Sequence, residues 1–254
     1  MRNIKLEIEY DGTNYYGWQV QNSPRPTAHG PQKRTIQQTI ESALQKILQE
    51  KVKLICSGRT DTGVHAKAQI ANFKTKSLID LVKLHLSLNA LLPEDVVVNK
   101  AVQVPDDFHS RFSVKSKIYR YIIFNNSHRS VLSRDFVYFC RYPLNLEIMR
   151  SEAKSFLGRH DFSSFCASAG LAKNPVKTIK KIAISKRKDL IYIDIEGNGF
   201  LYNMVRNIVG TLIDAGRGRL SRHACKKILI AKNRRLAGAT APAKGLYLLK
   251  VKYK

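Results

Sequence analysis

The chemistry-bearing residues of this chain concentrate in one run, Gly58-Arg59-Thr60-Asp61-Thr62-Gly63-Val64-His65-Ala66. An aspartate set between two glycines and near an arginine can act as nucleophile or base, provided local positive charge keeps it ionised. The glycines allow backbone conformations and close approaches that other residues resist. The same residues also suit a structural loop, in which Asp61 caps backbone amides and pairs with Arg59. Both readings stand on composition alone. His65 offers a general base, but like His109 and His160 it has no evident partner, and each reads as structural. There is no His-Glu-x-x-His run, no Cys/His cluster and no paired carboxylate, so a metal site has little support. Gly197-x-Gly199 and Gly216-x-Gly218 are too short for a phosphate loop and read as turns.

The elements around the run follow from periodicity. Ile4, Leu6, Ile8 and Tyr10 alternate with charged residues, which predicts a strand over 3–10. Tyr10-Asp11-Gly12-Thr13-Asn14 carries turn chemistry, and a polar loop with Pro24, Pro26, Gly30 and Pro31 spans Gln21 to Arg34. Thr35, with Gln38 three residues on, opens a helix whose apolar stripe is Ile36, Ile40, Leu44, Ile47 and Leu48. Strands over Val52 to Cys56 and Gln69 to Phe73 flank the loop Ser57 to Ala68. Ser77 with Asp80 opens a second helix, and Val96 to Val104 returns as a strand.

Similar parts follow. Strands are expected over Lys117 to Phe124 and Phe136 to Arg141, then a helix from Asn145 to Leu157 ended by Gly158. Ile179 to Ser185 and Leu190 to Glu196 read as a hairpin. Leu201, Val205, Ile208, Leu212 and Ile213 define an amphipathic helix; Ser221 starts another, and Leu246 to Tyr253 closes as a strand. Both halves resemble a ferredoxin-like unit, so the expectation is two α+β domains, 1–105 and 106–254.

Charge narrows the partner. The 254 residues hold 44 Lys and Arg against 19 Asp and Glu, a net charge of +25. With 44% hydrophobic residues this is a folded chain with a basic surface, and its natural partner is a polyanion. Nothing spans a membrane: the most apolar helical stretch, Phe200 to Ala215, is short and contains Arg206 and Asp214. Cys56, Cys140, Cys166 and Cys225 are scattered, which argues against a disulfide framework and, with no signal peptide, points to the cytoplasm.

At the Gly58–Ala66 run the sequence resembles the tRNA pseudouridine synthase A family. Further fragments match in family order: Tyr10-Asp-Gly-Thr-Asn-Tyr-Tyr-Gly-Trp-Gln19, Thr35-Ile-Gln37, Phe108-His-Ser-Arg-Phe112 and Tyr119-Arg-Tyr121. Gly158-Arg-His-Asp-Phe162, Gly199-Phe-Leu-Tyr-Asn-Met-Val-Arg-Asn-Ile-Val-Gly210 and Ala241-Pro-Ala-Lys-Gly-Leu246 complete the set. The resemblance covers essentially the whole chain. It implies conversion of uridine to pseudouridine at positions 38, 39 and 40 of the tRNA anticodon arm, by a homodimer without metal or organic cofactor. It implies a mixed, mostly antiparallel central sheet built from two related halves, with the active cleft between them. Carried over, Asp61 matches the catalytic aspartate, Arg59 its loop neighbour, and Tyr119 the aromatic that packs on the target base. Arg206 matches the basic partner of the aspartate, and Leu246 the apolar wall of the pocket.

Phosphate contacts should supply affinity, and the remaining positive charge clusters in two places. One is Arg219, Arg222, Lys226, Lys227, Lys232, Arg234 and Arg235; the other is Arg159 with Lys173, Lys177, Lys180, Lys181, Lys186, Arg187 and Lys188. Like most basic runs, both also read as solvated faces, so which of their residues touch RNA stays open. The loop Gln21 to Arg34 is longer than the family's usual connection, and Asn125 to Arg134 follows its pattern loosely. Two other readings compete with the isomerase: a non-catalytic basic RNA-binding protein, and a metal-free ribonuclease that would need a histidine pair. Asp61 separates them, since a simple binder has little reason to place a carboxylate among basic groups.

Overall fold

The alternation at the N-terminus puts Ile4, Leu6, Ile8 and Tyr10 on one buried face of the first strand, β1 (Arg2–Tyr10). The computed structural model describes residues 1–19, 34–167 and 174–253. Except for Arg34, the polar loop expected over Gln21 to Arg34 lies outside the described residues, as does Lys173. Two compact units result: Met1–Lys115 together with the closing residues from Leu248, and Ser116–Tyr247. The division falls inside the strand that begins at Val114.

In the first unit β1 is followed by α1 (Ile36–Leu48), β2 (Ile55–Cys56), β3 (His65–Thr75), α2 (Leu81–Leu91) and β4 (Val96–Val104). β1 pairs antiparallel with both β3 and β4, and β2 pairs antiparallel with β3. A βαββαβ chain with neighbours in the order β4-β1-β3-β2 is the split βαβ arrangement of a ferredoxin-like half. Thr35 caps α1, its side chain accepting from the Gln38 amide at 3.2 Å, and Ile36, Ile40, Leu44 and Leu48 are buried.

Two expectations shift in this unit. β3 begins at His65 rather than Gln69, because Ala66 already pairs with Tyr10 of the long first strand. The loop is therefore shorter, Ser57 to Val64, and β2 keeps only two residues of the strand expected from Val52. The cap of α2 is Asp80 and not Ser77: its carboxylate accepts from the Val82 and Lys83 amides at 2.9 and 3.0 Å. A carboxylate reaching two orphan amides is the stronger cap.

The second unit starts in β5 (Val114–Asn125) and continues through β6 (Tyr138–Cys140), α3 (Leu146–Ala153), β7 (Gly158–Asp161) and β8 (Val176–Arg187). β9 (Leu190–Gly197), α4 (Met204–Gly216) and α5 (Ala224–Ala231) follow, and β10 (Leu246–Tyr253) starts here and from Leu248 belongs to the first unit. β9 lies antiparallel between β5 and β8, and β7 flanks β8. The short β6 runs parallel to β5. Thus β5, α3, β8, β9 and α4 repeat the strand-helix-strand-strand-helix order of the first unit. The α+β class with mostly antiparallel pairing holds.

Here the differences concern helices. The helix expected to run to Leu157 leaves α geometry after Ala153 and tightens into a turn, Lys154–Phe156. α4 is not one-sided: of its residues only Arg206 and Asp214 escape burial, because it packs against both α3 and α5. α5 begins after His223, and its first amides are capped from another helix. The Glu152 carboxylate of α3 accepts from the His223 and Cys225 amides at 2.6 and 2.9 Å. Glu152 is 4% exposed, and the cap is invisible to any local pattern because its residues are remote in sequence. Glu152→Ala would strand the buried Cys225 amide, a loss of about 1–3 kcal/mol. A clear fall in Tm is expected for Glu152→Ala and a smaller one for Glu152→Gln, which keeps a carbonyl acceptor; equal Tm values for all three proteins would refute the cap.

Candidate active site

The Gly58–Ala66 run is fastened to its own unit on both sides of Asp61. Gln69 of β3 donates from Nε2 to the Gly58 carbonyl at 2.8 Å, and its Oε1 accepts from the Ser57 hydroxyl at 2.7 Å. The Thr60 hydroxyl shares a 2.8 Å hydrogen bond with the Tyr10 hydroxyl, and the Thr60 carbonyl accepts from the Trp18 amide at 3.1 Å. Beyond the aspartate, the Val64 amide closes a turn onto the Asp61 carbonyl at 3.1 Å. Burial pushes the Tyr10 phenol above its ordinary range, so it remains a neutral hydrogen-bonding group.

A second layer holds the segment that holds the loop. The first amides of α1, from Ile36 and Gln37, donate to the carbonyls of Gly17 and Trp18 at 3.1 and 3.0 Å. These are orphan amides of a helix N-terminus, satisfied by backbone. Gly17 has φ +75°, and a Cβ there would stand 2.4 Å from the Thr60 carbonyl oxygen. Only glycine permits that approach. Trp18 is buried and its ring lies 6.2 Å from that of Tyr10.

Asp61 is half-buried. Arg59 is exposed. The three histidines each make local hydrogen bonds. Buried His65 takes the Gly12 amide at Nδ1 (3.1 Å) with Asp11 Oδ1 3.0 Å away. The ring of His109 accepts from the Arg111 amide, and His160 contacts the Leu157 carbonyl.

The remaining sequence-predicted residues lie in the second unit, gathered around a residue that carried no separate role. Tyr119 and Tyr121 share the buried face of β5, while Arg120 between them faces away and forms a bidentate pair with Asp194 at 2.7 Å. Tyr119 is 7% exposed and meets the Phe200 ring edge-on at 5.1 Å. The Tyr121 hydroxyl donates to the Pro242 carbonyl at 2.8 Å, and the Gly245 backbone lies against its ring. Buried Leu246 comes next in the chain. Burial pushes the Tyr121 phenol well above its usual range, with the Arg206 cation opposing, so Arg206 is close enough to be felt there. Arg206 and the Gly245–Leu246 segment thus lie near Tyr121, two residues from Tyr119 on the same strand face, and Asp61 and Arg59 belong to the other unit.

Arg206 is anchored at the first turn of α4. Its Nε donates to the Ala241 carbonyl at 2.7 Å, its Nη1 donates to Asn203 Oδ1 at 2.9 Å, and the Ala241 amide donates back to the Arg206 carbonyl at 3.2 Å. Residues 237–241 reach the helix because Gly210 has no side chain: a Cβ there would stand 1.8 Å from the Ala239 carbonyl oxygen. Arg234 locks the same segment. Its guanidinium donates to the carbonyls of Ala237 and Gly238, to Thr240 and to the buried Asn207 side chain, all within 3.2 Å. Arg234 therefore leaves the group of solvated cations expected to meet phosphate, since its donors are spent on the fold.

Other features carry less. A cleft of about 460 Å³ bordered by Tyr15, Thr39, Lys46, Leu92 and Asp95 contains none of the predicted site residues. Among the described residues no three His, Cys, Asp or Glu side chains gather as a metal would require.

Comparison with known proteins supplies the chemistry's class. A family model described as tRNA pseudouridine synthase matches residues 7–113 and 153–254, leaving Tyr119 in the unmatched interval. A protein of Thermoanaerobacter sp. (strain X514), named tRNA pseudouridine synthase A, is 46% identical over 253 residues, spanning 100% of both chains. One from Acetivibrio thermocellus with the same name is 45% identical over 253 residues, again 100% of both. Another so named, from Halalkalibacterium halodurans, is 43% identical over 97% of this chain and 90% of its own.

The loop's dependence on Gly17 is directly testable. Gly17→Ala forces a left-handed alanine, about 1–2 kcal/mol, besides the contact with Thr60. A Tm lowered by at least about 2 °C is expected; an unchanged Tm would mean the loop is not held at that point.

Proposed function

The chain belongs to the tRNA pseudouridine synthase family, and on that premise we propose that it converts uridine to pseudouridine at positions 38, 39 and 40 of the tRNA anticodon arm, with Asp61 as catalytic carboxylate. It is an isomerase acting on tRNA uridine. The observation that carries the residue assignment is the fastening of Gly58, Thr60 and Asp61 backbone atoms, which presents one carboxylate from a fixed loop. Positioning of that kind is what a near-attack geometry demands.

The reaction breaks N1–C1′, turns the detached uracil and joins C5 to C1′. The proton on C5 leaves and N1 gains one, so atoms and charge balance with no redox change and no need of a metal or organic cofactor. Cleavage develops positive charge at C1′, as in glycoside chemistry, and a carboxylate stabilises or traps it. Uracil departs as a delocalised anion, which removes the need for a second carboxylic acid. The Asp61 carboxylate serves either course open to it, attack on C1′ or removal of a ribose proton.

The other residues support that carboxylate and its base. Burial alone would favour neutral Asp61, and Arg206, anchored to Asn203 and Ala241, is the cation assigned to keep it charged. Arg59 contributes positive charge from the loop itself. Tyr119 packs on the flipped base, with Leu246 as the apolar wall. The +25 charge supplies phosphate affinity. We assign the protein to the cytoplasm as a homodimer; no helix among the described residues is long and apolar enough to cross a membrane.

A non-catalytic RNA binder is the competing reading, and one variant separates the two. Asp61→Asn keeps size and polarity but removes the charge. Loss of pseudouridine formation by at least about 10³-fold with tRNA binding retained is the expected outcome. Turnover close to wild type would withdraw Asp61 from catalysis.

A further inference from the structure

A second constellation in the same unit lies outside the residues assigned so far. The guanidinium of Arg217, at the end of α4, stacks on the ring of Tyr142 with its carbon 3.7 Å from the ring centroid. The Arg141 guanidinium approaches the same ring at 5.8 Å. Tyr142 is 48% exposed, and its ring is not there to fill a core. Neither arginine has a carboxylate partner among the described residues. The nearby Asp214 carboxylate goes to Arg219, 3.6 Å away.

The backbone beneath this stack is fixed. Asn125 donates from Nδ2 to the carbonyls of Cys140 and Tyr142 at 2.9 and 2.7 Å, which ties down one side. The Asn145 amide donates to the Gly216 carbonyl at 2.9 Å, joining that segment to the end of α4 next to Arg217. A guanidinium whose carbon sits 3.7 Å from an aromatic centroid is held by cation–π attraction and still has N–H donors to offer away from the ring. That planar fork matches two oxygens of one phosphate, and the stack removes much of the rotamer freedom that a solvated arginine would lose on binding.

We propose that Tyr142, Arg217 and Arg141 form a phosphate-binding subsite for the RNA backbone, separate from the uridine pocket. The proposal rests on the reading that the substrate is tRNA. Arg217 caps the C-terminus of the helix whose first turn holds Arg206, eleven residues further along the chain and about 16 Å along the axis at 1.5 Å per residue. The subsite therefore grips phosphate several nucleotides from the uridine being isomerised. Its contribution is affinity and register, not chemistry.

The test measures equilibrium binding of unmodified tRNA to the full-length protein between about 50 and 200 mM salt. Arg217→Ala should weaken binding about tenfold and lower the slope of log K against log salt by about 0.7–0.9. Tyr142→Ala should weaken binding as well, while Tyr142→Phe, which keeps the ring, should bind as wild type. Arg217→Lys should recover the salt slope but not the full affinity. In turnover assays the loss belongs in KM. Unchanged affinity and slope for Arg217→Ala, or equal losses for Tyr142→Ala and Tyr142→Phe, would overturn the subsite. So would a change in oligomeric mass that accounts for the lost binding, since the stack would then serve a second copy of the chain. Because binding is read apart from catalysis, a wild-type protein that makes no pseudouridine would fail the activity assignment and leave this result standing.

Discussion

The Thr60 carbonyl, accepting from the Trp18 amide, is the contact on which the reading of the active loop depends. It ties a loop with no regular structure to a segment that is itself tied to the start of α1. The Tyr10 hydroxyl grips the same residue through its side chain, and Gln69 grips Gly58. Each bond alone is worth about 1 kcal/mol. Together they give the loop a single backbone path, and a carboxylate on a single path can be aimed. The same constraint explains a glycine at position 17, where any side chain would displace Thr60 and with it Asp61.

The second unit solves a parallel problem with buried polar groups. α4 is enclosed by apolar neighbours, yet Asn207 and Thr211 lie fully buried within it. They are satisfied by Phe165, Arg234, Thr240 and Gly238, and these bonds pin residues 234–241 to the helix. Buried polar networks of this kind are costly when incomplete and specific when complete. The result is that Arg206 is bonded to a segment that cannot slide, and the chain delivers Pro242 to Tyr121 and Leu246 to the same neighbourhood. The cations thus differ in their surroundings: Arg234 spends its donors on the fold, Arg206 is anchored to Asn203 and Ala241, and half-buried Arg217 lies over the Tyr142 ring.

Much of this was legible in the residues. Period-two and helical patterns found the strands at 3–10 and 96–104, the hairpin and the helix opened by Thr35. The run around Asp61 suits a structural loop as well as a catalytic one on composition, and only the family resemblance separates the two. What periodicity missed are contacts between residues distant in sequence. Tyr10 and Trp18 could be quoted as family fragments, but their grip on Thr60 spans roughly forty to fifty positions and leaves no local signature. Glu152 capping α5 is the same case, as is Tyr121, which reads as an ordinary strand tyrosine until its neighbours are in place. Arg234 looked like one more cation in a basic helix because sequence shows charge and not how its donors are used.

The central claim is that this chain is a tRNA uridine isomerase that works through one carboxylate. Its most direct test is mapping of pseudouridines in an unmodified tRNA after incubation with the purified protein in the absence of added metal or cofactor. Pseudouridine appearing at positions 38, 39 or 40 with wild type, and at none of them with Asp61→Asn, is the predicted result. Tight binding of the tRNA with every uridine left intact would contradict the account and leave a basic RNA-binding protein in its place.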